Sequence, residues 1–130
     1  DKEARDKEGA TALIIAAGEG HADVVDTLIR HGADANARDS LGATALTWAA
    51  GQGHTNVLER LLDSGADPNS QDEDGVTALM EAVTTEHNEI IDILLKHNAD
   101  PMLTDGQGRT AADIAKQKGN DEAVKLLARL

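Results

Sequence analysis

Two kinds of apolar run alternate along this chain. In residues 39–71 the first is short and almost continuous, Ala45 to Ala50. The second is a stripe, Val57, Leu58, Leu61 and Leu62, at the three-and-four spacing of a helix with one buried face. Polar residues punctuate both. Thr44 offers a hydroxyl to the first turn of the first run, which stops at Gly51-Gln52-Gly53, and the second run predicts a helix from about Thr55 to Ser64 that ends at Gly65. Ala66-Asp67-Pro68-Asn69 and Asp72 are turn formers, and the stretch through Asp74-Gly75 predicts a projecting hairpin. The unit is helix, helix, finger.

This unit is copied. The phrase Gly-X-Thr-Ala-Leu opens at Gly9, Gly42 and Gly75 and returns altered at Gly108, so that Thr11, Thr44, Thr77 and Thr110 stand 33 residues apart. Other columns keep step: Asp6, Asp39, Asp72 and Asp105 precede the phrase, and His21, His54 and His87, then Asn120, follow it. A constant period without insertions means stacked copies, each burying the face its neighbour cannot bury alone.

Asp-X-X-Gly-X-Thr-Ala-Leu, Ala-Ala-X-X-Gly-His, Val-Val-X-X-Leu-Ile and Gly-Ala-Asp-X-Asn-Ala, all in register, resemble ankyrin repeats over nearly the whole chain. The resemblance implies an all-α solenoid of stacked helix-turn-helix repeats with β-hairpin fingers, whose fingers and inner helices form a concave binding face. Residues 1–130 then make one domain. Residues 1–5 are the tail of a preceding repeat, 6–38, 39–71 and 72–104 are three repeats, and 105–130 is a C-terminal cap, polar through Lys116, Gln117, Lys118 and Asn120, the first two standing where internal copies are apolar or small. The first copy, with Ile14, Ile15, Val24 and Val25, has the character of an internal one. It is therefore expected to fray or to be covered by another chain, as a monomer or through weak self-association.

The copies depart from the family in three places. Ala12, Ala45, Ala78 and Ala111 follow the threonines where the family prefers proline, which loses a pre-set first turn and a little stability. Glu86 replaces the glycine of Gly20, Gly53 and Gly119, at about 1 kcal/mol if the site needs a left-handed backbone. Asn98 replaces Gly32 and Gly65 more comfortably.

Composition narrows the function. Twelve basic against twenty-four acidic residues give a net charge of −12, which disfavours nucleic acid and anionic membranes and favours a basic partner. No apolar run approaches the roughly 18 residues of a membrane span. The chain reads as soluble, with a cytoplasmic setting slightly favoured and secreted or periplasmic settings left open. With no cysteine or tyrosine, few serines and no phosphate-cradling loop in a strand-to-helix context, no catalytic constellation emerges, and no cofactor is implied. His21, His54 and His87 stand one per repeat, too far apart to chelate one ion, and are expected to tie loop backbone between neighbouring repeats. His31 and His97 suit the ends of outer helices.

Columns that vary between copies mark the expected binding face. At the fingers these are Lys7, Glu8, Ala10, Ser40, Leu41, Ala43, Glu73, Asp74 and Val76; on the inner helices, Glu19, Trp48, Gln52, Glu81, Thr84 and Thr85. Trp48 shares a column with Ile15, Glu81 and Ile114, and either anchors a partner or packs across Ile15 or the stem of Glu81. From Asp63 to Asp92 nine carboxylates stand with no lysine or arginine between Arg60 and Lys96. That block is either solvated surface or a docking site for a basic partner. The expected function is non-enzymatic protein–protein recognition. An inhibitor or immunity-type protein that occludes an enzyme is the narrower alternative, and an engineered scaffold a third; a small-molecule or metal binder is disfavoured.

Overall fold

The computed structural model describes residues 2–7 and 9–129. Among these residues eight helices follow in pairs: α1 (Ala12–Glu19) and α2 (Ala22–Arg30), α3 (Ala45–Gln52) and α4 (Thr55–Asp63), α5 (Ala78–Thr84) and α6 (Asn88–Lys96), α7 (Ala111–Lys118) and α8 (Asp121–Ala128). Each inner helix packs on its own outer helix and on the inner helix of the next pair, and the outer helices contact one another in sequence. Two layers of helices result, stacked along the chain. Among the described residues no helix is long and apolar enough to cross a membrane.

The inner helices are short and rich in alanine, which lets backbones approach closely. Leu13, Ala16 and Ala17, Leu46, Ala49 and Ala50, and Leu79, Ala82 and Val83 are all buried. Each helix starts on its threonine: the Oγ1 atoms of Thr11, Thr44 and Thr110 accept from Ile14, Thr47 and Asp113 N–H at 3.3 Å, and that of Thr77 from Met80 at 3.2 Å. The first helix of the second pair continues through Gly51 to Gln52, beyond the expected stop at Ala50. Gly51 is retained in the helix and the left-handed turn falls at Gly53, with φ 77°. The outer stripe of Val57, Leu58, Leu61 and Leu62 is buried, whereas Val24, the counterpart of Val57 in the first copy, is 48% exposed.

The fingers are tight turns and not strand pairs. Among the described residues the only ladder contact is one antiparallel bridge, Arg38 with Thr44. The aspartate column replaces a longer ladder: Asp39 N–H donates to Ala43 O at 2.9 Å, while Asp39 Oδ1 accepts from Leu41 and Ala43 N–H, both at 3.0 Å. Asp72 repeats the pattern with Asp74 and Val76, and Asp105 with Gln107 and Arg109. Asp105 is held below the usual carboxylate range first by the Arg109 backbone N–H, against an opposing push from its desolvation, and then by the Arg109 side chain.

Side-chain ladders fix the spacing of the copies. Arg5 donates to Arg38 O, Arg38 to Gln71 O at 2.8 Å, and Gln71 to Thr104 O at 2.8 Å. Beside them, Asp34 N–H donates to Glu3 Oε2 at 3.0 Å, and Asp67 and Asp100 N–H donate to Asn36 and Asn69 Oδ1 at 2.7 Å.

The histidine column behaves unevenly. His54 Nε2 lies 3.1 Å from Gly18 O and ties two copies as expected. His87 instead pairs its Nδ1 with Thr85 Oγ1 at 2.8 Å inside its own copy, and His21 lies 3.3 Å from Glu19. What His54 and His87 share is contact with the glycine turn of the preceding copy. A Cβ built on Gly20 would stand 2.7 Å from His54, and one on Gly53 only 2.5 Å from His87. His31 and His97 each place Nδ1 on the carbonyl four residues back, Thr27 O and Ile93 O, at 2.7 and 2.9 Å.

At Glu86 and Asn98 φ is 62° and 71°, so both non-glycine residues occupy the left-handed region. In the column of His54 and His87, the copy after Glu86 carries Asn120 and not histidine. Its amide turns to Val83 O at 3.2 Å and Asn88 Oδ1 at 3.0 Å, the smaller side chain standing where His54 and His87 press on glycine.

Candidate interaction face

The inner helices and fingers enclose two hollows, one on each side of Trp48. The first, of about 500 Å³, lies between the first two copies and is walled by Ala10, Ile14, Ile15, Gly18, Leu41 and Trp48, with Asp6, Glu19, Asp39, Ser40 and Gln52 also lining it. The second, of about 260 Å³, lies between the second and third and is shared by Leu41, Ala43, Thr47, Trp48, Asp72 and Glu81, with Asp39, Gly51, Gln52 and Thr85. Trp48 is the wall between them.

The position of Trp48 has a local cause. It stands on the solvent side of α3 and packs over Gly18 of α1, where an added Cβ would make ordinary contact with Trp48, 3.7 Å from its Cβ and 3.8 Å from Cε3. The indole Nε1 donates to Asp39 Oδ2 at 3.1 Å, so one aspartate organises the finger with one oxygen and orients the ring with the other. The ring is packed on its own scaffold and still 41% exposed. Ile15 at 42% and Leu41 at 65% are exposed beside it. Anchored orientation and accessible surface coexist in one side chain.

One copy along, the same two columns hold different chemistry. Glu81 replaces Trp48 and faces Asp72, the counterpart of Asp39. The described hydrogen bonds of Asp72 use Oδ1 alone. Burial, first, and the Asp72 charge, second, raise the Glu81 carboxyl above its ordinary range. A third set of columns is capped: Asp113 and Thr110 close a reciprocal capping box, in which the Thr110 backbone N–H, then its side chain, hold the Asp113 carboxyl low.

Of the expected face, the hollows gather Ala10, Glu19, Ser40, Leu41, Ala43, Trp48, Gln52, Glu81 and Thr85. Ala10 is buried and Val76 packs against the core, so both are floor, not display. Lys7, Glu73, Asp74 and Thr84 are exposed outside the hollows, and Glu8 lies outside the described residues. Glu73 N–H donates to Leu41 O at 3.0 Å and Asp74 O accepts from Gly106 N–H at 2.7 Å, so the finger backbones are coupled while these acidic side chains face water. Sequence reasoning missed Asp39 and Asp72 as lining residues because both read as turn formers, and missed Ile15 although it shares the Trp48 column. Among the described residues no three histidine or acidic side chains gather as a metal site requires.

A search of the curated proteins found no match. The family model for ankyrin repeats (three copies) matches residues 1–72 and again 64–130. With helix pairs, threonine caps and aspartate-closed fingers in register along that span, the chain belongs to the ankyrin repeat family.

Proposed function

We propose that this chain binds a protein partner with a basic surface through the concave side formed by its fingers and inner helices. Ankyrin repeats are generally protein–protein interaction modules and typically non-enzymatic. The observation that carries the reading is the cluster of Ile15, Leu41 and Trp48, exposed together in one groove bordered by carboxylates. Large apolar side chains held in an oriented, partly dry position are the usual anchors of an interface, and an acidic border speeds the approach of a basic partner.

The test is affinity capture from a lysate of the source organism with the wild-type chain and with a Trp48→Ala/Glu73→Lys/Asp74→Lys variant. A partner retained by the first and lost by the second, with an association rate that falls with salt, is expected. A partner retained equally by both contradicts the proposed face.

A further inference from the structure

Resting on the proposed concave interface, we infer that the two hollows beside Trp48 form a paired anchor site for one extended partner segment, taking a bulky aliphatic side chain in the first and an arginine or lysine in the second.

The first hollow selects by what lines it. Ile14, Ile15, Gly18, Leu41 and Trp48 present carbon to the space, and Ile15, Leu41 and Trp48 are three of the five large apolar side chains exposed among the described residues. A branched aliphatic side chain placed there covers all three at once. Burial of that surface is the gain, at roughly 25 cal/mol per Å² before the losses of association are counted.

The second hollow is half the size, and although three carboxylates line each, Asp6, Glu19 and Asp39 in the first and Asp39, Asp72 and Glu81 in the second, it differs in how they are partnered. In the second copy the aspartate of the finger receives a donor from its own helix, Trp48 Nε1 to Asp39 Oδ2. In the third copy the helix supplies Glu81, which brings a second carboxylate to Asp72 and no donor. Among the described residues no lysine, arginine or histidine forms an ion pair with either. A cation from outside replaces the donor that this copy lacks. Trp48 lines the same hollow, so in the proposed site the aliphatic stem of arginine or lysine packs beside the indole while its head reaches Glu81 and Asp72. An acidic side chain is repelled by the same carboxylates, and a neutral one lacks the charge attraction. Leu41 and Gln52 line both hollows with Trp48, so the two subsites are adjacent and one segment spans them.

The reporter is built in, because Trp48 is the only aromatic residue of the chain. Blocked peptides carrying one leucine and one arginine separated by one, two or three glycines are titrated into the full chain. Trp48 fluorescence and the indole N–H resonance are followed. A saturable response is expected for at least one spacing. It weakens about tenfold or more when leucine becomes alanine, when arginine becomes glutamate, and in Glu81→Lys and Glu81→Gln proteins whose circular dichroism is unchanged. A response that is the same for the glutamate peptide, or undiminished in folded Glu81→Gln, overturns the paired site, as does the absence of any response. If the peptides fail while capture of a partner still depends on Trp48, Glu73 and Asp74, the paired anchor alone falls; if both fail, the interface falls with it.

Discussion

Trp48 and Asp39, nine residues apart in sequence, lock the second inner helix to its own finger: the indole Nε1 donates to Asp39 Oδ2 at 3.1 Å while Oδ1 closes the turn. Trp48→Phe keeps a ring and removes the donor. It is expected to lower stability by about 1 kcal/mol, within the range for one hydrogen bond at a surface. Amide shifts should concentrate at residues 39–43. Urea unfolding and a two-dimensional amide spectrum check both parts; changes spread evenly over the chain would contradict the local lock.

The left-handed glycines that close inner helices carry two separable constraints. Gly119 and Gly53 share a left-handed backbone, but a Cβ on Gly119 meets nothing within 4 Å and one on Gly53 meets His87 at 2.5 Å. Gly119→Ala is therefore expected to lose about 1 kcal/mol, from the backbone alone. Gly53→Ala should lose about 3 kcal/mol, because the imidazole must also move. Equal losses in denaturant melts would show that the ring gives way freely.

Glu86 and Asn120 should be energetically coupled. Asparagine holds the column in which histidine meets the glycine turn of the preceding copy at Gly20 and Gly53, and at the corresponding turn Glu86 stands with φ 62°. Asn120→His should destabilise a chain that keeps Glu86 more than one that carries Glu86→Gly. A coupling energy of about 1 kcal/mol or more is expected from a double-mutant cycle, and additivity within about 0.5 kcal/mol would refute the pairing.

The raised carboxyl of Glu81 fixes the sign of a pH effect. Burial and the charge of Asp72 disfavour its ionised form in the fold. Its contribution to stability is thus largest below the ordinary glutamate pKa and is lost as pH rises through the raised, folded value. Glu81→Gln, which cannot ionise, should be more stable than wild type at pH 7. The advantage should shrink when both are unfolded near pH 4, and a constant or inverted difference would contradict the assignment.

Much of this was legible in the sequence, for physical reasons that differ by residue. Helix starts were readable because Thr11, Thr44, Thr77 and Thr110 cap by local hydrogen bonds that need no distant partner. The left-handed turns at Glu86 and Asn98 were readable because glycine fills the same columns in other copies. The face was less legible. Variation between copies marked Ala10 and Val76 as display, yet small and branched side chains at those places complete the core beneath the finger. Asp39 and Asp72 look like turn formers because they are, and only the folded fingers show that the same residues also line the hollows. The hairpins reduce to turns for the same reason, since one carboxylate oxygen supplies the bonds that a ladder would have made.

Hydrogen–deuterium exchange of the captured complex tests the central claim most directly. Binding on the concave side predicts new protection at the fingers and in α1, α3 and α5, strongest around residues 39–52 and 72–85, with α2, α4 and α6 unchanged. Protection confined to the outer helices, with the Trp48 segment exchanging as in the free protein, would contradict it.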